Sequence, residues 1–305
     1  MTIGFNHLGK LGQLGNQMFQ YAALRGIAYK NGVDFKLPNH QEIFDDGIGN
    51  RYGILLFDGF KLTHAKNQHY LLKDGETFGM LDTDNYVSES HFHFDEKMFN
   101  LIKGDDITVN MDGGVGGSWT VNDDVSLWGF FQSEKYFDHI AFQIRDDFGF
   151  KDEILNECRK VIVQFDKPIS LHIRRGDFLT NSGNHPPLGL DYYEKALSMF
   201  ESDRQVIIFS DDTEWCKEQK LFEDDRFAVS EGSDQFHDMC LMSLCDDFII
   251  ANSSFSWWGA WLAKNICNPP RPTYFDGKVI APKKWFGPNL NHDTKDLFPP
   301  DWIVI

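Results

Sequence analysis

The chain has 305 residues, of which 42% are hydrophobic, and a formal net charge of −17 at pH 7. This length predicts two domains of about 150 residues each, and the acidic excess argues against nucleic acid or an anionic membrane surface as a partner. Because the sequence has no apolar run of the roughly 20 residues that cross a bilayer and no secretory signal, we expect a cytoplasmic protein that is not integral to a membrane. Peripheral association with a membrane and the oligomeric state stay open.

The first predicted element is a glycine-rich loop that leads into a helix. In LGKLGQLGNQMFQYAALRG, residues 8–26, Gly9, Gly12 and Gly15 lie three residues apart. This spacing does not match GxGxxG, and no GKS or GKT follows, so neither the dinucleotide fingerprint nor the P-loop is present. The glycines instead predict close backbone approach in the loop. The small residues Ala22, Ala23 and Gly26 predict a helix that packs closely against a sheet.

Two further features of the first half bear on function. Asp82 and Asp84 have the DxD spacing by which many glycosyltransferases hold Mn²⁺ on a nucleotide sugar. However, they do not follow an apolar strand, and Asp-rich loops are common in this acidic chain. The rings of Trp128, Phe130 and Phe131 have the shape to stack on sugars, although buried aromatic residues more often belong to a core.

An amphipathic helix marks the predicted domain boundary. The segment KDEILNECRKVIVQF, residues 151–165, has this pattern and precedes the first strand of the second half. We therefore predict an N-terminal domain over 1–160 and a C-terminal domain over 161–305, whose last residues are free to pack back on the first domain.

The second half contains three apolar segments that end in polar residues: PISLHIRRGD, QVIIFSDD and DDFIIANSSFSWWGAWLAK. Short apolar strands separated by helical stretches predict a parallel sheet covered on both faces. Ligands bind beyond the carboxyl ends of the strands in such sheets. We therefore expect the three polar tails to meet at one edge.

The first tail supplies cations. On a strand His172 and Arg174 share one face and Arg175 takes the other, and arginine suits bidentate binding of phosphate or carboxylate. A surface ion pair of either arginine with Asp177 is the competing interpretation. In a chain this acidic, any anionic ligand is expected to meet a local basic cluster.

The other two tails supply acceptors and a helix start. Acidic groups just after a strand are placed to bind ribose hydroxyls or the N–H edge of guanine, and a serine-rich helix start binds anions through its backbone N–H groups. For each tail, ordinary capping of the following helix is the alternative. The residues concerned are Ser210, Asp211, Asp212, Asn252, Ser253, Ser254, Phe255 and Ser256. Together the three tails fit a nucleoside diphosphate.

These segments jointly resemble the bacterial α-1,2-fucosyltransferases. GQLGNQMFQYA resembles their N-terminal motif, LWGFFQSEKYF a mid-chain motif, and LHIRRGDF, VIIFSDDTEW and FIIANSSFSWWGAWL their three donor motifs. The matches follow the family order from residue 11 to about residue 262. The extra NHLGK before the glycines departs from the family, whose members pass almost directly from strand to loop.

The resemblance implies an α/β, GT-B-like fold in which two Rossmann-like domains face a central cleft. The C-terminal domain holds GDP-fucose and the N-terminal domain takes the acceptor. Arg174 then grips the β-phosphate, His172 and Asp212 lie near guanine or ribose, and Asn16 reaches from the other domain toward the phosphates or fucose. The helix start closes on the pyrophosphate through Ser254, Phe255 and Ser256.

The activity implied by the resemblance is transfer of L-fucose from GDP-β-L-fucose to the 2-hydroxyl of a galactoside, with inversion, without a metal and without a cofactor. We expect Arg174 to stabilise the departing phosphate, and Asp177 or His185 to be the general base. Asp177 has an equally weighted alternative, in which it only orients the arginines. Two other classes remain open: a metal-dependent glycosyltransferase that uses Asp82 and Asp84, and a nucleotide-sugar or glycan-binding protein without activity.

Overall fold

The computed structural model describes residues 1–39, 43–45, 51–67, 80–101, 123–232, 234–263 and 277–305. The chain forms two compact units. The first comprises Met1–Gly149 with Asp293–Leu297, and the second Phe150–His292 with Phe298–Ile305. The boundary predicted at residue 160 falls inside the helix over 152–162, whereas the two units separate before that helix because it packs within the second unit. No helix in the described ranges is long and apolar enough to cross a membrane.

Within its described residues, the first unit contains a four-stranded parallel sheet in the order β2-β1-β6-β5 and an antiparallel pair, β3-β4. The strands are β1 Thr2–Gly4, β2 Asp34–Lys36, β3 Ile43–Asp45, β4 Arg51–Gly53, β5 Tyr86–Ser88 and β6 Val125–Trp128. The helices are α1 Leu14–Asn31, α2 Leu56–Gly59, α3 Thr63–Asn67, α4 Glu96–Phe99 and α5 Ala141–Asp147, with 3₁₀ turns at Glu134–Tyr136 and Asp138–Ile140.

Helix α1 is the central helix of the first unit. Most of its residues are buried, which explains why its sequence lacks a marked polar face. It ends at Gly32, whose φ of 65° is the left-handed conformation that closes a helix at low cost in glycine. The close approach predicted at Gly26 is confirmed, but its partner there is a 3₁₀ turn and not the predicted sheet. A Cβ there would lie 1.9 Å from the carbonyl oxygen of Tyr136, so the helix meets a 3₁₀ turn and not the sheet at this point.

The second unit is built on a six-stranded sheet, counted over its described residues, in the order β12-β11-β10-β7-β8-β9. Every pairing in it is parallel. The strands are β7 Ile169–Ile173, β8 Val206–Ser210, β9 Phe227–Val229, β10 Asp247–Ile249, β11 Val279–Ala281 and β12 Ile303–Val304. The helices are α6 Asp152–Ile162, α7 Leu190–Leu197, α8 Thr213–Lys217, α9 Gln235–Ser243 and α10 Ser254–Leu262, with 3₁₀ turns at Asp177–Leu179 and Lys220–Phe222.

This sheet confirms the predicted parallel architecture. Strand β7 is buried along its whole length and lies between β10 and β8. Ile249 pairs with Leu171, and Ile173 pairs with Ser210. The carboxyl ends of the three strands therefore lie side by side, and their polar tails emerge at the same edge of the sheet.

Candidate active site

Arg174 is the first residue after β7 and forms two ion pairs. Its Nη2 donates to Oδ1 of Asp177 at 2.6 Å, and its Nη1 lies 2.9 Å from Oδ2 of Asp211. The Arg174 side chain is 30% exposed, that of Asp211 26% and that of Asp177 63%. The sequence thus brings a partly exposed guanidinium to the sheet edge, held by one sheltered carboxylate and one exposed carboxylate.

Asp211 also fixes the turn that carries Arg174. Its Oδ1 accepts the backbone N–H of Arg175 at 2.9 Å. The other carboxylate oxygen lies 2.5 Å from the position that a Cβ on Gly176 would occupy. A side chain at Gly176 would therefore displace Asp211, which explains why a glycine follows the two arginines.

Arg175 turns toward the tail of β8 as well. Its Nε donates to Oδ2 of Asp212 at 3.0 Å, and its guanidinium carbon lies 3.9 Å from the centre of the Trp215 ring. Asp212 also caps α8 by accepting the N–H of Trp215 at 3.3 Å, and its own N–H donates to Ser210 Oγ at 3.0 Å. The capping role weighed for Asp212 is therefore observed, and Arg175 has a structural partner.

The expected local basic cluster is not what the structure shows. Two arginines face three aspartates at this edge, namely Asp177, Asp211 and Asp212. An anion there must exchange with one of the carboxylates already bound to an arginine. Asp177 is the most exposed of the three, so its ion pair is the weakest and its carboxylate is the easiest to displace.

His172 lies within β7 and is buried. Burial, with a smaller contribution from the nearby Arg174 cation, lowers the pKa of its imidazole to about 3. Among the described residues no group hydrogen-bonds its Nδ1, and its ring centre lies 5.6 Å from that of Phe255. His172 is therefore a neutral hydrogen-bonding group at this edge, joined to the start of α10 by a ring contact.

The start of α10 is capped from within. Ser253 Oγ accepts the N–H of Phe255 at 3.3 Å, and the buried Ser256 hydroxyl donates to the carbonyl of Ser253 at 3.4 Å. The N-cap considered for this segment is thus observed, and Ser254 is the first residue of the helix. The positive end of the α10 dipole lies beside the end of β7.

Asn252 holds neighbouring segments together through buried hydrogen bonds. It is buried, and its Nδ2 donates to the carbonyls of Pro186 and Trp285 at 3.0 and 3.1 Å. These bonds tie the end of β10 to two distant segments. The structure therefore places Asn252 beneath the edge of the sheet and not among its exposed groups.

His185, the second base candidate, lies among aromatic rings. Its ring stacks on Phe178 at 5.2 Å and lies 5.7 Å from Phe286. Burial lowers its pKa and His292 adds to this, while Asp177 opposes it. A neutral imidazole at pH 7 is in the right state to accept a proton.

Asn16 lies in the first unit, in the first turn of α1. Its Oδ1 accepts from Nε2 of Gln132 at 2.9 Å. A Cβ on Gly12, whose φ is 89°, would clash with the Asn16 side chain, so this glycine is required on both counts. The contact joins the glycine-rich loop to the segment LWGFFQ. Gln132 was not singled out from the sequence, although it lies within the motif LWGFFQSEKYF.

Glu89 is a second residue that sequence reasoning missed. It follows β5, and its carboxylate accepts the N–H groups of Phe130 and Phe131 at 2.8 and 3.1 Å. Burial raises its pKa to about 7 against the opposing effect of these two bonds. The turn it holds has positive φ at Gly129 and at Phe131, where φ is 53°.

Asp82 and Asp84 lie exposed in an irregular segment before β5. Thr83 between them is anchored, since its hydroxyl donates to the carbonyl of Asp124 at 2.7 Å. Among the residues described, no group of three or more His, Cys, Asp or Glu side chains is placed to hold a metal ion.

This chain is similar to known proteins over most of its length. The model of the family described as "Glycosyl transferase family 11" matches residues 87–305. "O-antigen biosynthesis glycosyltransferase WbnK" from Escherichia coli is 30% identical over 96% of this chain and 97% of its own. "Alpha-1,2-colitosyltransferase" from Escherichia coli is 30% identical over 96% of each chain. "Galactoside alpha-(1,2)-fucosyltransferase 1" from Sus scrofa is 24% identical over 94% of this chain and 74% of its own.

Solved structures show the fold. POFUT1 in complex with GDP-fucose has a TM-score of 0.51 at 12% identity and covers 91% of this chain and 97% of its own. Fucosyltransferase NodZ from Bradyrhizobium has a TM-score of 0.50 at 10% identity, over 85% of this chain and 91% of its own. The fold is thus the α/β fold of GT-B glycosyltransferases, as expected. With the family model matching most of its length, the chain belongs to glycosyl transferase family 11 and is a glycosyltransferase.

Proposed function

We propose that this enzyme transfers L-fucose from GDP-β-L-fucose to the 2-hydroxyl of a galactoside, forms an α-1,2 linkage with inversion, and uses no metal. Family membership and the α-1,2 activities in the names of its relatives support the linkage. The observation that carries the proposal is the position of Arg174, which lies at the carboxyl end of the central strand with two polar tails beside it.

Arg174 is the phosphate-binding residue of this proposal. Its guanidinium presents a planar fork that suits two phosphate oxygens, and Asp211 holds it in place from the sheltered side. The β-phosphate of GDP takes the position now filled by the exposed Asp177 carboxylate. Asp211 stays in contact with the guanidinium throughout, so the fork does not have to be rebuilt when the nucleotide binds.

In this proposal the nucleoside of the donor binds beside the polar residues that follow the neighbouring strands. His172, which is neutral, lies in β7 two residues before Arg174, and Asp212 follows the neighbouring strand β8. Both are candidates for contacts with guanine or ribose. The start of α10 adds backbone N–H groups near the pyrophosphate. This assignment keeps Ser253 and Ser256 as caps, because their hydroxyls are already used within the helix start.

The reaction breaks the bond between the fucose anomeric carbon and the phosphate oxygen, and the acceptor oxygen bonds to that carbon from the opposite face. Negative charge develops on the departing GDP, where Arg174 and the α10 dipole stabilise it. The acceptor hydroxyl loses its proton to a base. His185, neutral by virtue of its burial, fits this role better than Asp177, which is engaged with Arg174.

A second donor is favoured by a specific observation. A relative named as an α-1,2-colitosyltransferase is 30% identical over 96% of this chain. Colitose is the 3-deoxy form of L-fucose, so the same phosphate chemistry and the same inversion apply to both. The choice between the two rests on a single hydroxyl of the donor sugar.

The test is GDP release from GDP-fucose and, in parallel, from GDP-colitose, with lactose as trial acceptor and EDTA present. The proposal expects release from GDP-fucose in EDTA. Faster release from GDP-colitose would reassign the donor. Activity only with Mn²⁺ would mean that a metal, at a site such as Asp82 and Asp84, stabilises the departing GDP in place of Arg174. Tight GDP binding without release from either donor, across a panel of galactosides, would indicate a binding protein and overturn the proposal.

A further inference from the structure

The carboxyl edge of the parallel sheet in the first unit carries a second group of chemically distinctive residues. His7 follows β1, Trp128 ends β6, and Glu89 follows β5, and these three strands are neighbours in the sheet. The chain leaves β1 toward β2 on one side, while β6 lies on the other side. Ligands of open parallel sheets bind beyond such a point, where the strand order reverses.

The aromatic part of this edge is centred on Trp128. The ring of His7 meets it edge to face at 4.6 Å and lies 5.5 Å from the ring of Tyr86. All three are half-buried, so each ring keeps part of its surface accessible. The ammonium of Lys10 lies 6.0 Å from the centre of the Trp128 ring, at the outer limit of a cation–π contact, and its exposed, flexible chain is easily displaced.

The polar part of this edge consists of hydrogen-bond acceptors. Gln20 donates through Nε2 to the carbonyls of Leu11 and Gly129, and Gln132 donates to Asn16. Both glutamine carbonyl oxygens are buried, and no group in the described part of the chain donates to them. A buried acceptor without a donor costs about 1–3 kcal/mol. Such a site favours a ligand that brings hydroxyl donors.

Charge narrows the ligand class further. The carboxylate of Glu89 lies at the same turn as the unpaired acceptors, because it holds the N–H groups of Phe130 and Phe131. A phosphate or carboxylate ligand would offer no hydrogen-bond donors to the glutamine carbonyls, and Glu89 would repel it once ionised, above a pH of about 7. A neutral saccharide offers both an apolar ring face for Trp128 and hydroxyl donors for the glutamine carbonyls.

We propose that this edge of the first unit, formed by His7, Tyr86, Trp128 and the unpaired carbonyl of Gln132, binds the acceptor saccharide, with a hexopyranoside stacked on the Trp128 ring. This assignment rests on the proposed glycosyl transfer and specifies where the acceptor of that reaction is held. Asn16 acts here as a positioning residue, since its side chain fixes the amide of Gln132 in the orientation that leaves the carbonyl oxygen unpaired.

The test is saccharide binding to the whole protein, measured by saturation-transfer NMR with lactose, methyl β-galactoside and a panel of terminal-galactose oligosaccharides. The variants are Trp128→Leu and Gln132→Leu, and the matched control is Phe142→Ala, an aromatic residue on α5 that is 72% exposed. GDP affinity and thermal unfolding are measured for each protein, so that loss of fold is separated from loss of the site.

We expect Trp128→Leu to weaken binding of the preferred galactoside about tenfold or more, in keeping with the contribution of a stacked aromatic ring. GDP affinity and the Phe142→Ala control should stay unchanged. If the wild-type protein binds no saccharide of the panel, or if the Trp128 variant binds as tightly as wild type, the assignment is wrong. Galactoside binding that depends on Trp128 without transfer from GDP-fucose would support this site while contradicting the proposed donor.

Discussion

Nη1 of Arg174 lies 2.9 Å from Oδ2 of Asp211, and this ion pair joins the ends of two neighbouring parallel strands. The same aspartate accepts the N–H of Arg175, so one carboxylate orients both the backbone and the side chain of the phosphate-binding turn. The guanidinium is thereby oriented before any ligand arrives. Preorganised charge of this kind is the largest single contribution to many enzymatic rate enhancements.

Replacement of Arg174 by Ala should lower turnover roughly 10²-fold or more, by analogy with the loss of one preorganised donor. The lost cation leaves the charge on departing GDP without its main partner. Steady-state turnover of GDP-fucose measures the effect. Arg226→Ala is the matched control, because Arg226 lies in the same unit against Phe227, outside this edge. Near-normal turnover and donor affinity in the Arg174 variant would refute its role.

Asp177→Asn distinguishes an orienting carboxylate from a general base. The ion pair at 2.6 Å with Arg174 indicates that Asp177 orients the guanidinium and yields its place to phosphate. We therefore expect the variant to keep the acidic limb of the pH dependence of kcat, with only a moderate change in rate. A profile from pH 5 to 9 decides the matter. Disappearance of the acidic limb in Asp177→Asn, together with its persistence in His185→Gln, would make Asp177 the base.

Gly26→Ala has two opposing effects on the free energy of unfolding. Helix propensity alone favours alanine by about 1 kcal/mol. The Cβ, however, would lie 1.9 Å from the carbonyl oxygen of Tyr136, a backbone atom that cannot turn away. We expect the clash to dominate and the free energy of unfolding to fall by about 2 kcal/mol net. Chemical denaturation measures it, with Gly53→Ala as a control, because no atom lies within 4 Å of the added Cβ there.

The Glu89 carboxyl should make stability depend on pH. Burial raises its pKa from an ordinary 4.5 to about 7 in the native state. Between these values the native protein holds a proton that the unfolded chain releases, so this contribution is complete below pH 4.5 and is lost as the pH rises through 7. Relative to Glu89→Gln, the wild type should lose at most about 3 kcal/mol of unfolding free energy over this range.

Denaturation of both proteins at pH 4.5, 6 and 8 tests this difference, and Glu96→Gln, at an exposed position on α4, serves as the control for a change of surface charge. Parallel pH curves for wild type and Glu89→Gln would show that the native pKa is not raised.

The parallel sheet of the second unit was predictable because its strands are short, apolar and followed by polar residues. Their adjacency is a consequence of topology, which places β7 between β8 and β10. The caps at Asp212 and Ser253 were also foreseen as alternatives, since Asp and Ser before a helix have this role in most proteins.

The arrangement of charges was not predictable. Which carboxylate pairs with Arg174 depends on side-chain reach across two strands, and a run such as RRGD or SDD carries no register information. The acceptor groups of the first unit were missed for a similar reason. Glu89 and Gln132 are 43 residues apart in sequence, and α1 is further away still. Their hydrogen bonds form only in the folded chain, where the turn after β6 meets the end of β5 and the start of α1.

The central claim is tested most directly by the structure of the product formed from GDP-fucose and lactose in the presence of EDTA, determined by NMR. The account predicts a fucosyl residue with α configuration on the 2-hydroxyl of galactose. A β-linked product, attachment at another hydroxyl, or a product formed only when Mn²⁺ is added would contradict it.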